Sequence, residues 1–307
     1  MSHKGEDTAG GKMKIPYYPG CTLSTTAKAF ERTAMSAAEM LGFTMVEIED
    51  WNCCGASFPL TQDNIMGLAG PTNVLIDAKK ECLKEGYEDK VVTLCSVCFN
   101  VLRRTNYAFK EKKDKLDTVN FMLEKDYAAD TNVYHYLEVL RDDIGYDVIK
   151  EKVKKELKGL KVAPYYGCFL LRPQDEVGFD DQYAPTIFED FLSTLGCEVV
   201  DFSHKSECCG SYSAMRSPEN VEECAYNVVD AAAAAGAEIL VTACPLCQFN
   251  LDEKQESIKA HHSDATEIPV VYFTQLLGLA LGMDVNDFKL DENRVNPLPL
   301  IQAKGLV

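Results

Sequence analysis

No stretch of this 307-residue chain stays apolar for the roughly 20 residues that a bilayer-crossing helix needs, so its length pattern excludes a membrane span. Basic residues are also scarce. Against 48 Asp and Glu stand only 31 Lys and Arg, and the resulting net charge of −17 repels nucleic-acid phosphates and anionic lipid surfaces. The N-terminal MSHKGEDTAGGKMK lacks the apolar centre of a secretory signal, which predicts a chain kept in a reducing, cytoplasmic setting. Missing too are a suitably placed GxGxxG fingerprint and the compact four-cysteine run of a bacterial ferredoxin. Neither a dinucleotide nor a bacterial-ferredoxin site is thus written in the chain. With 46% hydrophobic and 26% charged residues, the composition is that of a globular protein long enough for two domains.

What the chain has in excess is cysteine, thirteen in all, an odd number that no internal disulfide framework can use completely. In a reducing compartment, clustered cysteines read as metal ligands or redox groups. Their arrangement is written twice. The first half carries Gly20-Cys21, then Cys53-Cys54-Gly55, then Cys95-Ser96-Val97-Cys98; the second carries Gly167-Cys168, Cys208-Cys209-Gly210 and Cys244-Pro245-Leu246-Cys247. Tyrosine pairs precede the first motif of each half, and Phe-Asn follows the last.

The segments between these motifs repeat as well. A helical stripe of Phe30, Ala34, Ala37 and Leu41, capped by Ser24 or Thr25 and closed by Gly42, is answered by Ile187, Phe188, Phe191, Leu195 and Gly196. Strand-like runs 45–48 and 199–202 deliver the chain to the paired cysteines. Helical stretches 74–84 and 221–235 then lead to strands 91–94 and 239–243, each ending at a CxxC. Strand-then-helix patterns recur at 133–140 and 270–277. Such alternation predicts mostly parallel sheets, with ligands gathered beyond the strands' carboxyl ends. The boundaries expected are an N-terminal extension 1–12, an α/β domain 13–146, a charged helical connector 147–160, a second α/β domain 161–284 and a peripheral tail 285–307.

Five thiols per half, Cys21, Cys53, Cys54, Cys95 and Cys98 against Cys168, Cys208, Cys209, Cys244 and Cys247, exceed the four ligands that close a tetrahedral zinc site. Adjacent cysteines diverge from neighbouring backbone positions and suit a polynuclear iron–sulfur centre. The flanking glycines allow positive φ or close approach of backbone to an inorganic core, and a helix after each CxxC would aim its amides at an anionic cluster. Cys82, Cys197 and Cys224 have no cysteine counterpart in the other half and read as packing residues.

Taken together, these motifs resemble the CCG-domain iron–sulfur family, whose relatives include the B subunit of heterodisulfide reductase from methanogenic archaea. The resemblance runs from Met13 to about Leu281. It implies two pseudo-symmetric, Rossmann-like CCG domains facing each other, each holding a non-cubane 4Fe-4S cluster on its five thiolates. It further implies reductive cleavage of the coenzyme M–coenzyme B mixed disulfide. Electrons would be supplied by the ferredoxin-like C subunit and the flavin-containing, iron–sulfur A subunit of heterodisulfide reductase, within a complex that holds a hydrogenase or formate dehydrogenase. One departure stands out: 40 residues separate Cys54 from Cys95 but 34 separate Cys209 from Cys244, which predicts an insertion near 59–72.

An anionic disulfide needs basic neighbours in so acidic a chain. Arg172, Arg216, Lys205, His204 and Lys28 are the candidate substrate-binding residues, with Arg103 and Arg104 behind them. His135, at the end of a strand-like run where the second half has Tyr272, is the candidate proton donor. Tyr18 and Tyr166, beside the first ligands, read as cluster packing. Two rival readings remain: a non-catalytic electron-transfer subunit of a lactate-, glycolate- or succinate-oxidising complex, and a structural zinc protein.

Overall fold

The computed structural model describes residues 12–56, 60 and 64–307. Its strands form two four-stranded sheets in which every pairing is parallel. The first contains β1 (Met13–Tyr17), β2 (Phe43–Glu47), β3 (Val91–Thr93) and β4 (Val133–His135), in the order β2-β1-β3-β4. The second contains β5 (Lys161–Tyr165), β6 (Glu198–Val199), β7 (Ile239–Thr242) and β8 (Val270–Tyr272), in the matching order β6-β5-β7-β8. Helices cover both faces of such sheets, which is why Ile239, Leu240 and Val241 are apolar in succession and all fully buried. In each sheet the strand order reverses beside the first strand, and the crevice made there lies beyond the carboxyl ends.

The expected helical stripe packs as predicted: helix Lys28–Leu41 buries Phe30, Ala34, Ala37 and Leu41 and ends on Gly42 at φ 101°. Its start differs. Ser24 Oγ and Thr25 Oγ1 donate to the carbonyls of Gly20 and Cys21, at 3.0 and 2.8 Å, closing a separate single turn, so the helix begins only after Ala27. Hydroxyls that find a carbonyl four residues back are lost as caps.

The two halves share one continuous apolar core. Phe30 stacks on Tyr272 with ring centroids 4.3 Å apart, and Thr33 Oγ1 meets Thr274 Oγ1 at 2.6 Å. Arg103 donates to Val177 O at 2.8 Å and Arg104 to Glu176 at 2.6 Å, binding the first-half helix Ser96–Glu111 to the second half.

Two boundary expectations change. The connector is helical only over Tyr146–Lys152; beyond it the chain runs as a strap, Lys154 N bonding Ala280 O at 2.9 Å and Leu157 N bonding Leu195 O at 2.9 Å. The tail is not peripheral, because Phe288, Leu290, Ile301 and Leu306 are buried and Asn293 Nδ2 donates to Val270 O at 2.6 Å. Of the segment 59–72, where an insertion is expected, the end from Ala69 belongs to the helix Ala69–Cys82; residues 57–59 and 61–63 lie outside the described residues, as do residues 1–11 of the N-terminal extension.

Candidate functional site

Each cysteine motif sits on the loop that leaves a strand. Cys21 follows β1, Cys53 and Cys54 follow β2, and Cys95 caps the helix Ser96–Glu111 after β3; Cys168, Cys208, Cys209 and Cys244 occupy the same places after β5, β6 and β7. Cys54, Cys95, Cys98, Cys209, Cys244 and Cys247 are buried, while Cys21, Cys53 and Cys208 reach the surface. Within the first half Cys54 Sγ lies 3.6 Å from Cys98 Sγ; within the second, Cys209 Sγ lies 3.5 Å from Cys247 Sγ. Cys95 and Cys244 hydrogen-bond across the domain boundary, so the two thiol groups form one array. Ser96 reinforces that contact, its N and Oγ donating to Ala243 O at 3.3 and 2.9 Å.

The glycines are required by this crowding. Gly20 holds φ 71°, and a Cβ there would come within 2.8 Å of Cys98 Sγ; Gly167, at φ 64°, would put one 3.4 Å from Cys247 Sγ. The paired tyrosines are resolved by the same register. Tyr18 OH donates to Asn52 O at 2.9 Å and Tyr165 OH to Glu207 O at 2.7 Å, each holding the residue before its CysCys pair. The equivalent of Tyr18 is therefore Tyr165, whereas Tyr166 turns away to bond Glu189 and the Phe188 amide.

Within the array, hydrogen bonds from neighbouring thiols hold Cys54, Cys95 and Cys208 below the usual thiol range, while Cys53, Cys98, Cys168, Cys209, Cys244 and Cys247 are pushed above it. Thiolate is the ligand form. Among the described residues no three Cys, His, Asp or Glu side chains gather on a position for a single metal ion; the thiols instead follow one another as a chain of contacts. An all-thiol donor set, bare glycine backbone against the sulfurs and helix N-termini behind Cys95 and Cys244 together fit an anionic iron–sulfur core in each half.

Beside Cys95 the domain boundary opens into a cavity of about 420 Å³. Thr22, Thr26, Ala27, Ala29 and Val97 line it from the first half, and Tyr212, Leu246, Gln248, Phe249, Asp252 and Tyr272 from the second. The tail supplies Lys289, Glu292 and Asn293. Asp252 is almost fully buried, accepts from the amides of Arg294 and Val295 at 2.7 and 3.3 Å, and is raised to about 6 by burial.

The predicted basic residues lie elsewhere. Lys205 is engaged by Glu189 and Asp201, both at 2.9 Å. Arg172 donates to Ser206 O at 3.1 Å, tying the Cys168 loop to the Cys208 loop, and His204 pairs with Ser203 at 2.8 Å. Lys28 and Arg216 are exposed, and none of the five lines the cavity. His135 is fully buried among Phe99, Phe179 and Phe273, with Nε2 on Leu94 O at 3.0 Å and Nδ1 accepting from Leu137 N. Burial holds it down at about 3, so it is a neutral, structural group rather than a proton donor. The residue that faces the cavity is its counterpart, Tyr272. Of the three packing cysteines, Cys82 is buried, while Cys197 and Cys224 are half-buried.

Sequence reasoning missed Tyr212, Asp252 and the tail residues. Tyr212 had a signal, lying three positions beyond Cys209; the tail had none.

The model of the cysteine-rich CCG domain matches residues 15–103 and 162–252. A component of the 8-methylmenaquinol:fumarate reductase of Wolinella succinogenes, named as its membrane anchor, is 33% identical over 94% of this chain and 99% of the relative. The B subunit of the ferredoxin:CoB-CoM heterodisulfide reductase of Methanosarcina mazei is 26% identical over 94% of this chain and 96% of that protein. Among solved structures, a hypothetical protein from Helicobacter pylori shares the fold, with a TM-score of 0.66 at 10% identity over 93% of this chain and 52% of its own. No helix among the described residues is long and apolar enough to cross a membrane. With both halves matched and the thiol motifs of each gathered at one domain boundary, the chain belongs to the cysteine-rich CCG domain family, in the two-domain form that spans nearly the full length of both relatives.

Proposed function

We propose that the chain is an iron–sulfur redox subunit of a multi-subunit oxidoreductase in a reducing compartment, with one cluster in each half and a neutral carrier of the quinol class docking between them. Cys21, Cys53, Cys54, Cys95 and Cys98 would hold one cluster; Cys168, Cys208, Cys209, Cys244 and Cys247 would hold the other. Such a cluster supplies one-electron exchange.

The observation that carries this reading is the charge of the cavity beside Cys95. Among the described residues its acidic lining is Asp252, Glu253 and Glu292, and its one cation, Lys289, is 3.6 Å from Glu292. A disulfide bearing sulfonate, carboxylate and phosphate would meet that negative wall with its one cation already engaged. A neutral ring suits it better. Tyr272, Phe249 and Leu246 offer apolar and aromatic faces, and Tyr212, Gln248 and Asn293 offer polar groups to carbonyl or hydroxyl oxygens. Asp252, with its raised pKa, is the group suited to exchange a proton with such a carrier near neutral pH. The name of the Wolinella succinogenes relative, which pairs a quinol with fumarate, points the same way.

A second reading keeps the cleavage of the coenzyme M–coenzyme B disulfide, with non-cubane clusters and electrons from the ferredoxin-like and flavin-containing partners of that system. It is favoured by the full set of ten thiols and by the Methanosarcina mazei relative. The two separate in one experiment. Anaerobically reconstituted protein, reduced with a chemical donor, is mixed with a soluble menaquinone analogue or with the mixed disulfide. Saturable reoxidation by the quinone, at least about 100-fold faster than by the disulfide, is expected; that ratio corresponds to roughly 2.7 kcal/mol of barrier. The reverse order would replace the first reading with the second.

A further inference from the structure

The ten thiols are laid out symmetrically, but the hydrogen bonds they receive are not. Backbone donors match: Gly55 and Ala56 amides serve Cys53 and Cys54, as Gly210 and Ser211 amides serve Cys208 and Cys209. Side-chain donors do not. Asn250, fully buried, turns Nδ2 to Cys209 Sγ at 3.5 Å, to Cys209 O at 3.1 Å and to Ser211 O at 2.9 Å. Its Oδ1 has no partner, so the three acceptors fix which way the amide points.

The counterpart of Asn250 in the first half is Val101, three residues after Cys98, which has no N–H to offer from its side chain; Asn100, one helical position earlier, is as buried as Asn250 and leaves its own half. Its Nδ2 donates to Phe169 O and Arg172 O, at 2.8 and 2.7 Å, on the Cys168 loop of the second half. Both buried amides thus serve the second thiol pocket. In the first pocket Thr22 Oγ1 lies 3.8 Å from the exposed Cys21 Sγ. A buried N–H aimed at a ligating sulfur withdraws charge from it and favours the reduced cluster, and low local dielectric strengthens the effect.

We infer that the two cluster sites are electronically unequal: the second half takes an electron at the higher reduction potential, and Asn250 is the residue that sets the difference. An electron arriving at the first half moves to the second, one site oxidised by one unit as the other is reduced by one, with no bond made or broken. Because Cys95 lines the cavity and Cys244 does not, the low-potential site is the one beside the docked carrier, and the high-potential site is the exit toward a partner subunit. This inference rests on the reading that each half holds a cluster.

The test is a redox titration of the reconstituted chain followed by paramagnetic resonance, with iron and sulfide counted beforehand. Two separate one-electron steps are expected. Asn250→Leu lowers only the upper step, by about tenfold in its equilibrium constant, equivalent to 59 mV for one electron. Asn100→Leu, which removes no N–H···S contact but frees two carbonyls of the Cys168 loop, moves the upper step less than Asn250→Leu does. A control that needs no variant is asparagine labelled with 15N, which places a nitrogen hyperfine coupling on the upper-potential signal alone. Equal potentials, a coupling on the lower signal or an unshifted upper step in a fully loaded Asn250→Leu would overturn the inference. Absence of iron and sulfide would instead overturn the cluster reading beneath it.

Discussion

The two halves carry the same thiols on the same loops, but they treat the carbonyl before each CxxC differently. In the second half Ala243 O is satisfied from across the boundary by Ser96, through both N and Oγ. The related position opposite Leu94 is Pro245, which has no N–H to give. Leu94 O is met by Nε2 of His135, a ring that also bonds Ala243 O, and that duty holds the imidazole in the interior. Tyr272, excused from the same duty, stacks on Phe30 and opens onto the cavity. One serine-to-proline difference inside a repeated motif thus accompanies a buried histidine in one half and a cavity-lining tyrosine in the other. Ligand positions are bound by the chemistry they perform; the residues around them are free to specialise.

Breaking the ligand set should produce the largest contrast. Cys95→Ser removes a ligand, a cavity wall and the thiol contact to Cys244 at once, and electron exchange with a docked carrier is expected to fall at least about 100-fold. Cys247→Ser, which touches only the second site, should leave the first reducible in a single-electron step, as stopped-flow absorbance would reveal. Equal losses in both variants would remove the distinction between the sites.

Backbone geometry gives the next contrast. Gly20→Ala and Gly167→Ala each force a side chain into positive φ, at about 1–2 kcal/mol. Gly20→Ala also drives a Cβ to 2.8 Å from Cys98 Sγ, against 3.4 Å at the other site. Thermal unfolding and iron retention should both rank Gly20→Ala as the more damaging.

His135→Phe leaves Leu94 O buried and unpaired, a cost of about 1–3 kcal/mol. Adding Pro245→Ser supplies the donors that Ser96 supplies in the related place, and part of that loss should return. Urea midpoints of the single and double variants measure it; no recovery would mean that the symmetry argument is mistaken.

Acid dependence should be the mildest effect. His135, lowered from 6.5 to about 3, contributes stability that is complete above about pH 6.5 and is lost as pH falls through 3. Asp252, raised from 3.8 to about 6, works in the opposite sense: its contribution is complete below pH 3.8 and is lost as pH rises through 6. Denaturation midpoints from pH 7 to 3.5 should decline, and less steeply in His135→Phe; an unchanged slope would remove His135 from the explanation.

Much of the thiol array was legible in the sequence because a cysteine motif shows in residue type and spacing alone, and a repeat makes it visible twice. Gly20 and Gly167 could be read for the same reason. The cavity could not. Its tail wall is held by backbone amides of Arg294 and Val295 on Asp252, contacts that leave no trace in residue type. Proximity in sequence to a cysteine motif says nothing of direction: Lys205 and Arg172 turn to nearby carboxylates and carbonyls.

Iron, zinc and acid-labile sulfide, counted in anaerobically reconstituted chain beside Cys98→Ser and Cys247→Ser, examine the twin-centre claim most directly. The account predicts iron and sulfide for two clusters in the parent and for one in each variant. Zinc in place of iron, or a single cluster lost in only one of the two variants, would contradict it.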